Sequence, residues 1–345
     1  MERSAIKTLS GAITARVVYG KISTAAACYI ALSIYLYLPY LNHFKKLEYL
    51  ILINSAVGAL GCFVLSRRWL DAFAAQFVAG AVYGFSPFAL GFAAYHPLAG
   101  LPMAAVPWLF CPAVYYHAGM KNTLREKTIA CILATIPFAF TVLFFLLCAK
   151  PGSVHLFPMP VQLKLNPAGI GGLTTPLALK PQNFIFGFYH VPLAAGFLGL
   201  LIYFKSGRFK ILLILAPAML LSMIDPVFEV PPVVWALTIM VFGAIVIGLG
   251  MEGLALAGRK DSKWILVCIL MTCAVTVFTL IRSFELGFIY LQTTRIHALA
   301  IVLIGIIYLL TGLNFRTNLL RWSLLCAGIG ADVLLGARYL IDVLF

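Results

Sequence analysis

The stretch VVWALTIMVFGAIVIGLGMEGLALAGRKDSKWILVCILMTCAVTVFTLI, residues 233–281, decides the class of this protein. Two apolar runs, 233–258 and 264–281, are parted by a basic knot, Arg259-Lys260 and Lys263. A helix needs roughly 20 apolar residues to cross about 30 Å of hydrocarbon, and runs of this length supply them. The same alternation continues in both directions. Further knots lie at Arg67-Arg68, Lys121/Arg125/Lys127, Lys205/Arg208/Lys210 and Arg316/Arg321, between runs such as 128–148 and 184–204.

Composition agrees. Hydrophobic residues make up 63% of the 345 and charged residues only 10%, against roughly a quarter charged in soluble domains. The mean hydropathy of +1.02 leaves no stretch for a sizeable soluble domain. The formal charge of +14 does not point to nucleic acid, because the basic residues gather at the ends of apolar runs. Orientation and anionic headgroups account for them there. Eight cysteines lie mostly within apolar runs, with no C-x-x-C and no Cys/His metal spacing; they read as small buried hydrophobes.

The expected fold is all-α: a polytopic bundle of about eleven transmembrane helices forming a single membrane domain over 1–345. The spans fall near 22–41, 48–66, 72–93, 97–116, 128–148, 184–204, 211–224, 233–258, 264–281, 297–313 and 323–344. With the N-terminus inside, 17 of the 25 Lys and Arg face the cytoplasm, 7 face out, and Arg338 lies within the last span. That asymmetry follows the positive-inside rule. It makes 1–21 a basic cytoplasmic tail and suggests the cytoplasmic membrane of a bacterium. The longest connection, 150–183, is then extracytoplasmic, with six prolines and many apolar residues, which suits a lid packed on the membrane surface. No internal repeat and no matched pair of broken helices is visible.

Ionisable residues within spans are costly and become site candidates by default. Asp332 sits near the middle of the last span and needs a partner from another helix or a water-filled cavity. Arg338 and Asp342 are four apart on one face and can pair with each other. Glu252 lies among Gly248, Gly250 and Gly253, which permit close helix approach; it could pair with Arg259 or reach the inner headgroups.

The predicted outer face gathers Glu48, His96, Asp225, Glu229, Arg282, Glu285, Arg295, His297 and Asp342, with His155, Lys164 and Lys180 in the long loop. Asp225 and Glu229 are four apart before Pro231-Pro232; they could hold a divalent cation, act as general acid and base, or form a solvated turn. Arg282, Arg295 and Lys180 could hold a phosphate. His190, beside Tyr189, reads as a hydrogen-bonded residue near the outer end of its span or as a substrate contact. No nucleotide loop, zinc motif or nucleophile elbow is present, and no cofactor is indicated beyond that cation.

Residues 66–110, SRRWLDAFAAQFVAGAVYGFSPFALGFAAYHPLAGLPMAAVPWLF, resemble bacterial GT-C-type membrane proteins, including the YfhO-like proteins. The likeness rests on a small-residue span ending in Tyr83-Gly84-Phe85-Ser86-Pro87-Phe88, then His96 before a span with Pro102 and Pro107. Echoes follow at 181–204 and 233–258. The resemblance implies transfer of a sugar or similar group from a polyprenyl-phosphate donor at the outer face, with an essential acidic residue in the first outer loop. Here that loop, LNHFKKL at 41–47, has no acid. Glu48 or the Asp225/Glu229 pair would take its place as catalytic group, with His96, Lys180, His190, Arg282 and Arg295 as substrate contacts. The alternatives are a non-catalytic scaffold working with other membrane subunits, and a transporter or lipid flippase built around Asp332.

Overall fold

The computed structural model describes residues 2–44, 46–95, 97–116, 128, 132, 135, 139, 164–165, 172, 174–177, 186–205, 212–226, 231–313 and 317–344. Among them every regular element is helical. In chain order the α-helices are α1 (Glu2–Tyr37), α2 (Tyr49–Ser66), α3 (Phe73–Gly84), α4 (Pro87–Tyr95), α5 (Gly100–Tyr116), α6 (His190–Lys205), α7 (Leu212–Met223), α8 (Pro232–Leu256), α9 (Ser262–Leu286), α10 (Phe288–Gly312) and α11 (Asn318–Leu344).

Among the described residues seven segments are long and apolar enough to cross a membrane: Gly20–Tyr40, Tyr49–Ser66, Phe73–Phe92, Pro232–Leu256, Arg259–Phe284, Phe288–Gly312 and Asn318–Leu344. This is a multi-pass membrane architecture, with fewer full-length spans among the described residues than the eleven expected. Pro97–Cys111 and His190–Lys205 are shorter apolar helices, and α7 has 12 residues. The expected span at 128–148 lies outside the described residues, apart from four isolated positions.

Proline explains the shortest of these differences. A helix begun at residue 184 would bury Pro192 in its interior, where it lacks an N–H and clashes with the preceding turn. The helix instead starts at His190, so that Pro192 falls in the first turn, where N–H groups have no intrahelical partner anyway. Residues 186–189 are non-helical and buried. A second break lies between α3 and α4. Ser86 accepts the Ala89 N–H on its Oγ at 3.1 Å and Pro87 opens the new helix, the N-cap and N1 preferences together.

The two breaks, which nothing in the sequence pairs, meet in space. Tyr189 donates its hydroxyl to the carbonyl of Phe85 at 2.8 Å, an orphan acceptor at the end of α3. The rings of Phe88 and Phe186 make an edge contact at 5.7 Å between centroids. Non-helical backbone is tolerated at membrane depth where protein covers it, and here each break covers the other.

Around this junction α8 packs against α6, α3 and α7, α2 against α1, α3 and α5, and α9 against α10. The α6–α8 crossing is backbone to backbone: a Cβ on Gly199 would collide with the Val246 carbonyl, and one on Gly250 with that of Ala195. Such small-residue seams suit packing in lipid, where the hydrophobic effect does not drive helices together.

Candidate functional site

The unexplained carboxylate of the last span finds its partners on α6. Asp332 is buried at 9% exposure. Its Oδ2 accepts the Val191 backbone N–H at 2.7 Å, and its Oδ1 lies 3.1 Å from Nδ1 of His190. Val191 is in the first turn of α6, so the carboxylate satisfies an orphan donor at the positive end of a helix dipole. Asp332 stands near the middle of α11, roughly 20 Å from either end at 1.5 Å per residue. The N-terminus of α6 therefore lies opposite the middle of α11. His190, the first residue of α6, is fully buried at that level.

His297, on α10, completes the cluster. Its ring meets that of His190 edge-on, with centroids 4.8 Å apart. Its Nε2 donates to the carbonyl of Thr174 at 3.0 Å. Thr174 belongs to the long 150–183 connection, and Leu177 from the same segment lines the adjoining groove. These described residues of the connection thus reach the cluster and the groove beside it. His190 Nε2 and His297 Nδ1 are buried with no hydrogen-bond partner.

Beside the cluster a groove of about 570 Å³ runs between α10 and α11, within the roughly 300–1,000 Å³ common for small-molecule sites. Its walls are two helical stripes, Phe288, Gln292, Ile296, Leu299 and Leu303 on α10, and Gly328, Asp332, Leu335 and Tyr339 on α11. Leu299 and Leu335 are 65% and 68% exposed, so the groove opens sideways, toward lipid in a bilayer. Gly336 makes room for Tyr189: a Cβ there would strike the Tyr189 ring.

The other intramembrane charges serve helix ends. Glu252 does not pair with Arg259; its carboxylate accepts the N–H groups of Ala72 at 3.2 Å and Asp71 at 3.4 Å, at the start of α3. Arg338 and Asp342 pair as their spacing predicts, at 3.1 Å. Arg338 also donates to the Leu36 carbonyl at 2.9 Å near the end of α1, and Tyr40 donates to Asp342 at 2.8 Å. Arg321, which the sequence reading counts only as part of a basic knot, is buried and donates to the Ala257 carbonyl at 2.7 Å at the end of α8. Asp332 and Glu252 thus sit at N-termini and Arg321 and Arg338 at C-termini, each complementing the dipole of another helix.

Of the described outer-face candidates His297 is in the cluster, whereas Glu48, Asp225, Arg282, Arg295 and Asp342 are not among the residues lining the groove. Asp225 is exposed and paired with Lys164. Glu48 is half-buried at the N-cap position of α2, without a side-chain cap bond to that helix. Arg282 is exposed beside the Phe278 ring, 5.9 Å from its centroid, and Arg295 is exposed on α10. His96, Lys180 and Glu229 lie outside the described residues, as does any Asp225/Glu229 cation site. Among the described residues no cluster of three or more His, Cys, Asp or Glu could hold a metal ion.

No family model, curated protein or solved structure matches this chain. The site therefore has to be read from its own geometry. Sequence reasoning names Asp332 and His190 but does not join them, and it places His297 only on an outer face. Val191, Thr174 and Tyr189 carry no sequence signal of their own, because two act through backbone atoms and the third through a contact between distant breaks.

Proposed function

We propose that this protein takes the hydrocarbon chain of a lipid substrate into the α10–α11 groove, with its polar end at the Asp332–His190–His297 cluster. The observation that carries this reading is a buried carboxylate in the wall of an otherwise apolar groove that opens sideways. Apolar walls with a few placed polar groups are what a lipid-handling site requires. Ionisable residues kept within spans mark substrate or proton pathways.

The resemblance of 66–110, 181–204 and 233–258 to GT-C-type proteins supports a polyprenyl-linked substrate presented at the outer face of a bacterial cytoplasmic membrane, with the N-terminus inside. Under that reading Asp332 and His190 take the acid–base role that an acidic first outer loop would otherwise fill. Glu48, Asp225 and Glu229 become peripheral. A second reading, a lipid transporter or flippase, is favoured by one specific observation: two helix breaks meet beside the buried carboxylate. Many transporters bind their substrates at such discontinuous helices.

The test uses the purified full chain in lipid nanodiscs with a polyprenyl lipid carrying a diazirine in its chain. Photolysis should label peptides of α10 and α11, and Leu335→Trp, which fills the groove from its exposed side, should suppress that labelling. Labelling confined to other helices, or unaffected by Leu335→Trp, would defeat the reading. Sugar transfer to an acceptor in the same nanodiscs separates transferase from transporter, which would instead move the labelled lipid between leaflets.

A further inference from the structure

Among the described residues that line the groove, Asp332 is the one charged side chain, and none is Lys, Arg or His. An ionised carboxylate only accepts hydrogen bonds. Each Asp332 oxygen has one partner, the Val191 N–H or His190 Nδ1, and keeps a lone pair beyond it. An anionic headgroup would meet like charge there, with no cation among the described lining residues to offset it, in an interior that screens poorly. A full cation is not demanded either, since the imidazole, the amide and the positive end of α6 already complement the carboxylate.

The hydrogen-bond directions behind Asp332 agree. A carbonyl only accepts, so His297 carries its proton on Nε2 toward Thr174, and Nδ1 of the neutral ring is an acceptor. His190 directs its Nδ1–H to Asp332, which leaves Nε2 as an acceptor in the neutral ring. Both of these nitrogens are buried without a partner. The capacity left free around Asp332 in this arrangement is therefore for accepting hydrogen bonds, while Gln292 and Tyr339 of the groove wall can also donate.

We infer that the groove receives a long-chain lipid ending in a neutral hydroxyl, whose O–H donates to Asp332. The inference rests on the lipid-groove reading and specifies it: this is the seat of an alcohol-ended lipid, not of the phosphate of a lipid-linked donor. A phosphate belongs with cations, and the exposed Arg282 and Arg295 are outside this groove.

The test is competition against photolabelling by diazirine-tagged hexadecanol in nanodiscs, with hexadecanol, its methyl ether, hexadecyl phosphate and hexadecylamine as competitors. Hexadecanol should displace the probe at a concentration about tenfold below the other three, the discrimination a hydrogen bond to a charged group supplies. In Asp332→Asn the Val191 N–H holds the amide oxygen, so a donor replaces an acceptor and the preference for the alcohol over the ether should collapse. Equal displacement by alcohol and ether, or stronger displacement by phosphate or amine, overturns the hydroxyl assignment while leaving a lipid groove in place. Absence of specific labelling by any chain, or labelling unchanged in Leu335→Trp, removes the groove reading and this inference together. The competitor series on the unaltered protein decides the matter even if Asp332→Asn fails to fold.

Discussion

Asp332 on α11 caps the first turn of α6 by accepting the Val191 N–H at 2.7 Å, from a residue 141 positions away in the chain. One side chain thus ends a helix, orients an imidazole and lines a groove. Removing it should be felt in all three. Asp332→Ala leaves a buried N–H and a buried imidazole without their acceptor, a loss expected to cost about 1–3 kcal/mol for each unsatisfied group. Asp332→Asn keeps an acceptor for Val191 and should cost clearly less. Thermal unfolding of the two variants in the same detergent checks the order.

Glu252 makes the same kind of contact with the start of α3 but is not in the groove. Glu252→Ala should cost about 1 kcal/mol, the usual value of a lost N-cap, and Glu252→Gln less. Neither should alter lipid photolabelling of α10 and α11. A groove-binding defect in Glu252→Gln would show that the two carboxylates are coupled.

Gly336 is held small by the Tyr189 ring, whose hydroxyl ties the two helix breaks together. Gly336→Ala forces that ring to move and should destabilise the protein by about 1–3 kcal/mol, as overpacking does. Tyr189→Phe keeps the ring and loses only the bond to Phe85, so its cost should stay nearer about 1 kcal/mol plus the unsatisfied carbonyl. Chemical denaturation of both variants compares them.

His297 is the described contact between α10 and the carbonyl of Thr174. Replacing it with Phe keeps bulk and removes the donor. Hydrogen exchange of peptides covering 172–177 should quicken, while exchange in α8 stays as it was. Unchanged exchange in the loop would mean that His297 does not hold it.

Arg338 bonds both Asp342 and the Leu36 carbonyl, whereas Asp342 is bonded by Arg338 and Tyr40. The Arg338–Asp342 pair is partly exposed, so a double-mutant cycle should return no more than about 1 kcal/mol for it. Arg338→Ala alone should cost more than Asp342→Ala, because it also frees a helix-end carbonyl of α1.

Much of the membrane bundle is legible in the chain because hydropathy acts locally. Each run of apolar residues declares itself within its own length, and α2, α8, α9 and α11 fall close to their expected positions, whereas α10 begins at Phe288, nine residues before the expected start at 297. The span at 184–204 is read too long because its apolar residues continue past Pro192, and periodicity alone does not register a missing N–H. The Arg338–Asp342 pair is legible for the opposite reason: both partners lie on one helix, four residues apart.

The site was not legible in the same way. Asp332 announces itself by its cost in a span, but its partners lie on α6 through one backbone amide and one imidazole, and no spacing rule relates residue 332 to 190. Glu252, Arg321 and Arg338 likewise look like charges seeking counter-charges, whereas each of them bonds main-chain groups at the end of another helix. By itself, the sequence determined that this chain is apolar enough to enter a membrane as helices and which few charges go with it, because both follow from solvation of individual residues. Only the tertiary structure decided where those charges act, because every helix has polar ends and the packing alone settles which charge meets which end.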